Sequence, residues 1–186
     1  MISGAKVALR PLTEEDIKIV TAWNEDEEIK GLIGWDSKGH FTHDEWYRRM
    51  INGRNSKIFG VWTKDGQMIG DIGLAEISWR AGEAELIIRI ANKDYWNQGY
   101  GRDAVSALVA FAFNELGLKR IYLRVYRDNI RAIKCYESCG FAKEGFVSRS
   151  FDSGTKTVYL MSIERRVSQR SGRPRRKGPI QAAVGQ

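Results

Sequence analysis

Apolar positions recur along this chain with two different periods, and the change from one to the other comes near Lys57. After a short apolar run at Val7-Ala8-Leu9, the residues Ile17, Val20 and Trp23 fall on one helical face. Thr13 is suited to cap that helix, with Glu14, Glu15 and Asp16 in the first turn where the helix dipole favours acids. Gly31 to Thr42 carries four turn signals and reads as a loop, and Asp44 to Ile51 as a further helix closed near Asn52-Gly53. From Ile58 the pattern predicts three strands, Ile58–Thr63, Gln67–Trp79 and Glu83–Ala91, joined by turns at Lys64-Asp65-Gly66 and Arg80-Ala81-Gly82. Short turns between such runs give an antiparallel meander.

The helical period returns over 104–116, where Val105, Leu108, Val109, Ala112 and Leu116 share a face and Gly117 ends the run. Ile121, Leu123 and Val125 then alternate with Tyr122, Arg124 and Tyr126 as a strand. A strand before and a strand after that helix should be parallel neighbours. Asp128-Asn129 opens a last short helix ending at Cys139-Gly140, and Thr157 to Ile163 is the final strand. The fold class is therefore mixed α/β.

Composition changes the picture in one respect. The net charge of +7 invites a nucleic-acid reading, but seven of the 30 basic residues lie from Arg165 onward, where no acid occurs. The remaining 23 Lys and Arg equal the 23 Asp and Glu, so the body is formally neutral and the basicity belongs to a tail. Residues 1–166 read as one domain and 167–186 as a basic, aperiodic tail of disordered character, open to a weak contact with RNA or the ribosome through phosphates. The apolar runs all fall short of the roughly 18 residues a membrane span needs, and Met1 to Lys6 lacks a signal-peptide core. Two cysteines, Cys135 and Cys139, make no disulfide framework, and a cytoplasmic location is expected. Four apart on a helix, they are expected to be a small buried pair. His40-x-x-His43 lacks the company of further ligands, and no metal is expected. Trp35, Phe41, Trp46 and Tyr47 are expected to pack the helical layer.

The candidate chemistry lies in Tyr95-Trp96-Asn97-Gln98-Gly99-Tyr100-Gly101-Arg102 and in Asn129-x-x-Ala132-x-x-x-Tyr136-x-x-x-Gly140-Phe141. A glycine turn opening onto a helix gathers unpaired backbone N–H groups at the positive end of the dipole, a site for an anionic oxygen. Ala132 and Tyr136 share a helix face, and a tyrosine there can donate a proton to a leaving group that departs as an anion. Gly99-x-Gly101-x-x-Ala104 also fits a dinucleotide fingerprint, which predicts an acidic ribose partner about 20 residues on. Residues 119 to 127 offer Lys119, Arg120, Arg124 and Arg127 instead. A dinucleotide-binding oxidoreductase is the alternative, with a non-catalytic acyl-CoA-binding or RNA-associated protein as a third class.

Taken in this order, the glycine loop, its helix, the strand and the Asn-Ala-Tyr-Gly-Phe set resemble the GNAT superfamily of acyl-CoA-dependent N-acetyltransferases, over residues 7 to about 163. Gly99 and Gly101 match the glycines of the family's Gln/Arg-x-x-Gly-x-Gly/Ala loop, while Trp96 stands in the Gln/Arg position. That exchange leaves the backbone cradle intact and removes one side chain that could assist phosphate binding. The resemblance implies a central, splayed, mostly antiparallel sheet with a parallel pair at the cofactor site, flanked by helices. It implies acetyl-CoA as co-substrate, with its pyrophosphate on the amides of Gln98, Gly99, Tyr100, Gly101 and Arg102. An oxyanion donor would lie around Arg89, Ile90 and Ala91, with Asn129 and Ala132 beside the pantetheine arm and Tyr136 as general acid. Glu85 or Asp71 could serve as base, Glu85 being the guess. The acceptor would be a small-molecule amine (polyamine, amino sugar or aminoglycoside) or a protein N-terminus, and a homodimer is left open.

Overall fold

A computed structural model of the chain describes residues 1–29, 42–151 and 154–165. Within them an eight-stranded sheet carries the fold: β1 (Ile2–Ser3), β2 (Val7–Pro11), β3 (Lys57–Thr63), β4 (Met68–Ser78), β5 (Glu83–Ile90), β6 (Arg120–Tyr126), β7 (Ala142–Phe151) and β8 (Gly154–Glu164). Four helices, α1 (Glu14–Ala22), α2 (His43–Asn52), α3 (Tyr100–Asn114) and α4 (Ile130–Ser138), flank it. The strand order is β1-β2-β3-β4-β5-β6-β8-β7. The mixed, mostly antiparallel sheet and its flanking helices agree with the expected fold class.

The β5–β6 junction is the feature that makes a site. These two strands are parallel, as the strand-helix-strand pattern requires, but they pair only at Glu83↔Arg120, Ala84↔Ile121 and Glu85↔Tyr122. Beyond Glu85 the strands part, and the edge of β5 facing β6 runs on to Ile90 without a ladder partner. β5 also separates two cores. Leu86, Ile88 and Ile90 pack with α3 residues such as Val105 and Leu108, whereas Ile87 packs with Ile17, Val20 and Tyr47 of α1 and α2. Strand alternation thus gives the opening a face toward α3 and a face toward α1 and α2.

Two elements differ from the sequence reading. Helix α3 begins at Tyr100, four residues before the first periodic position, because Gly99 and not a polar residue is its N-cap. Strand β7 was missing from the expectation: its residues are mostly exposed, so Ala142 to Phe151 carries no alternation of buried and solvated positions to read. It is held by pairing with β8. Capping boxes at Thr13/Asp16 and Thr42/Glu45 start α1 and α2 where the sequence placed them. His40, Trp35, Phe41 and the tail from Arg166 lie outside the described residues.

Candidate active site

At the mouth of the β5–β6 opening lies a cavity of about 750 Å³. Of the residues singled out from sequence, Glu85, Arg89, Ile90, Gly99, Gly101, Arg102, Asn129, Ala132 and Tyr136 line it together; Ala91, Gln98 and Tyr100 are not among its lining residues. The N–H of Ala91 donates to the Ile69 carbonyl at 2.9 Å, so it is not free to receive an oxyanion. The open edge of β5 from Leu86 to Ile90 is the remaining source of such a donor. Gln98 is turned into the loop, its carbonyl accepting from Lys6 Nζ at 2.8 Å, and Tyr100 packs edge-on against Tyr95 at 5.0 Å.

The glycine loop is built for an anion. Gly99 caps α3 in the left-handed region, φ +83°, where a side chain would be strained, and it supplies no side-chain cap. The first-turn N–H groups therefore point out of the helix unsatisfied by a cap, at the positive end of the dipole. Gly101 is helical, and a Cβ there would meet only Ile90 Cγ1 at 3.6 Å and Cys135 Sγ at 3.9 Å, ordinary contacts. Packing within the protein does not demand a glycine at 101; a ligand lying close against the helix end would. Asp103 anchors the loop from below, accepting from the amides of Ala5, Lys6 and Val7 at 3.0, 2.7 and 3.0 Å.

Trp96 has a use that the sequence pattern did not reveal. Its indole N–H donates to the Ile90 carbonyl at 2.7 Å, and the Arg131 guanidinium stacks 3.4 Å above its ring. Arg131 lines the cavity, and burial pulls its pKa down from the usual arginine value, which still leaves it cationic. With Arg102 and Lys134 it makes the α3–α4 side of the cavity basic. A cation thus stands over position 96 at the cavity wall.

Tyr136 is 8 % exposed, and its ring lies 6.1 Å from that of Phe141. Among the described residues its hydroxyl has no hydrogen-bond partner, yet it is not among the solvent-sealed polar atoms; it opens to the cavity. Burial pushes its pKa above the ordinary phenol value, so it is protonated at neutral pH. Asn129 caps α4, accepting from the Ala132 amide at 3.2 Å, which fixes the helix that aims Tyr136. Cys135 and Cys139 are half-buried, not buried; Cys135 lines the cavity and Cys139 is hydrogen-bonded to the Arg102 carbonyl at 3.6 Å.

The carboxylates need correction. Glu85 is buried and clasped by Arg124, whose Nε donates to Oε1 at 2.7 Å while Nη2 donates to Oε2. Both oxygens being engaged, Glu85 is ill placed to accept a proton. Asp71 lies opposite Arg89 across β4 and β5, and is equally committed: Arg89 Nε donates to Oδ1 at 2.7 Å and the Tyr47 hydroxyl to Oδ2 at 2.9 Å. Burial, the largest single influence, would lower the Arg89 pKa, but the charges of and hydrogen bonds to Asp71 and Tyr47 together outweigh it and the net direction is up; burial drives the Tyr47 phenol well above its usual value. Arg89 Nη1 also donates to Asn24 Oδ1 at 2.6 Å, and Nη2 to the Val20 carbonyl at 3.0 Å. The Arg89 side chain turns to α1 and α2, away from the glycine loop, while its backbone stays on the β5 stretch where the oxyanion donor was expected. Trp46 and Tyr47 wall the cavity as well as packing the helical layer.

Residues 6–142 match the family model described as an acetyltransferase (GNAT) domain. Spermidine N(1)-acetyltransferase of Vibrio cholerae is 28 % identical over 151 residues, covering 80 % of this chain and 86 % of that one. The protein of the same name from Escherichia coli is 28 % identical over 152 residues, 81 % of each. A crystal structure of the Vibrio cholerae spermidine N-acetyltransferase with CoA and spermine superposes with a TM-score of 0.76 at 27 % identity, over 86 % of this chain and 96 % of that one.

Proposed function

The chain belongs to the GNAT acetyltransferase family, and from that premise we propose that it moves an acetyl group from acetyl-CoA to a primary amine by direct attack within a ternary complex. The observation that carries this reading is the single cavity wall shared by the uncapped α3 N-terminus at Gly99–Arg102, the open edge of β5 and the unpartnered hydroxyl of Tyr136. The helix end and the cations of Arg102, Arg131 and Lys134 suit the pyrophosphate. An amine at neutral pH is mostly ammonium and must lose a proton before it attacks. With Glu85 and Asp71 each held by an arginine, we assign that transfer to water. A backbone N–H on the β5 edge receives the developing oxyanion without reorganisation. Tyr136 gives its proton to the departing thiolate as the carbon–sulfur bond breaks.

Among acceptors, the names of the relatives make a polyamine the first to test. Acetyl-CoA at 100 times its Kd should stabilise the protein by about 2.7 kcal/mol and raise Tm by several degrees, while NAD(H) and NADP(H) should leave it unchanged. Stabilisation by the dinucleotides alone would move the loop to the oxidoreductase reading.

Arg131→Ala should raise the KM for acetyl-CoA about tenfold, the worth of one charge-assisted hydrogen bond. Arg131→Lys should recover only part of it, since a lysine does not stack flat on Trp96. Steady-state kinetics with acetyl-CoA varied at fixed amine reads both. An unchanged KM in Arg131→Ala would take Arg131 out of the cofactor site.

A further inference from the structure

The glycine loop is held from outside the cavity, by the turn that joins β1 to β2. That turn is closed by the Gly4 N–H, which donates to the Val7 carbonyl at 2.9 Å. Two contacts run from it to the loop, one on either side of the left-handed Gly99. On the near side, Lys6 Nζ donates to the Gln98 carbonyl at 2.8 Å and stands 5.3 Å from the centre of the Tyr100 ring. On the far side, Asp103 Oδ1 accepts from the Ala5 amide, and Oδ2 from the amides of Lys6 and Val7. Between these ties lie the amides that an anion would use. The Asp103 N–H already donates to the Gly99 carbonyl at 3.0 Å, which leaves those of Tyr100, Gly101 and Arg102 as the orphans of the first turn.

Two features show that this contact is built and not incidental. Gly4 has no positive φ, so its backbone does not call for glycine. A Cβ there would nevertheless fall 2.9 Å from Asp103 Cγ and closer still to Oδ2. The carboxylate is short and tied by three amides, so it has little room to give way. The second feature is the charge itself. A carboxylate one residue beyond an anion-binding helix end repels the anion it is meant to help hold. Its presence needs another use, and its three bonds to the β1–β2 turn supply one. Gly4, Lys6 and Asp103 are not among the residues lining the cavity, so any effect they have on a ligand there passes through the loop.

We propose that Gly4, Lys6 and Asp103 are positioning residues for the cofactor: the β1–β2 turn clamps both ends of the glycine loop and presets its free amides for a pyrophosphate. A loop already ordered loses less entropy when the ligand binds. The inference rests on the acetyl-CoA reading above and extends its site to three residues that touch no substrate.

The sign of one substitution separates the clamp from simple electrostatics. Asp103→Asn removes a negative charge near the pyrophosphate, so charge alone would tighten CoA binding, whereas loss of the clamp loosens it. Calorimetric titration of the full-length protein with CoA should show Kd raised about tenfold in Asp103→Asn and about threefold in Lys6→Met. Gly4→Ala leaves every charge in place and should raise Kd about tenfold by displacing Asp103. With acetyl-CoA as donor, KM should rise in proportion while kcat stays within about twofold. With S-acetylpantetheine, which has no pyrophosphate, the variants should match wild type within about twofold; a general loosening of the fold would cost the same with both donors. Thermal melts check folding, and Gly4→Ala, a surface turn variant, decides where Asp103→Asn does not fold. An unchanged or lower Kd in Asp103→Asn and Gly4→Ala, or equal losses with both donors, overturns the proposal and leaves acetyl transfer standing. CoA bound with no amine acetylated overturns the transferase reading, while the Kd values still decide the clamp. A wild-type protein that does not bind CoA overturns both.

Discussion

Replacing Tyr136 by phenylalanine should lower kcat by about 10²–10⁴-fold, the usual worth of a positioned proton donor, while changing the KM for acetyl-CoA by less than about twofold. The two effects separate because the ring and the hydroxyl have different environments. The ring is packed against Phe141 within the main core and survives the substitution. The hydroxyl makes no hydrogen bond among the described residues, so its removal leaves no group unsatisfied. The melting temperature should accordingly stay within a degree or two of wild type. A structural hydroxyl would give the opposite result, a lower Tm with turnover preserved. That outcome would remove Tyr136 from the chemistry.

The second large effect concerns stability. Asp71→Ala should destabilise the fold by roughly 3–5 kcal/mol, and Arg89→Ala by a similar amount, because either leaves one charge buried and uncompensated. For a chain of this size that is a fall in Tm on the order of 10 °C, read by thermal or denaturant melts. The pair lies between β4 and β5 and ties both to α1 and α2, through Val20, Asn24 and Tyr47. The double variant Asp71→Leu/Arg89→Leu should recover part of the loss, since no lone charge then remains. Single variants as stable as wild type would mean that the cluster is hydrated and does not brace the sheet.

How much of this was legible in the sequence depends on whether a residue's signal is periodic or pairwise. The meander, the strand-helix-strand unit and both capped N-terminal helices follow from local spacing, and these elements set the β5–β6 opening. Gly99 was readable as the turn residue of the loop, but not as the cap of α3, because the apolar period starts only at Ala104. The clasp on Glu85 was not legible, because strand alternation indicates which face a carboxylate takes, not that Arg124, 39 positions away, will hold both its oxygens. The partners of the Arg89 side chain are a related case. Its setting in Leu86-Ile87-Ile88-Arg89-Ile90 does carry a signal, since a lone charge inside an apolar strand needs a partner, and Asp71 is the matching charge in the neighbouring strand. The stacking of Arg131 on Trp96 and the hydrogen bond from Arg89 to Asn24 join residues 35 and 65 positions apart and leave no mark in the local pattern.

The central claim is that one cavity joins the glycine loop, the β5 edge and Tyr136 into a site for acetyl transfer to an amine. Its most direct test is to mix the full-length protein with acetyl-CoA and an amine panel, measuring free thiol and the acetylated amine together. The account predicts amine-dependent release of CoA matched one to one by acetylated product, and loss of both in Tyr136→Phe. Release of thiol without acetylated amine, or product formed equally well by Tyr136→Phe, would contradict it.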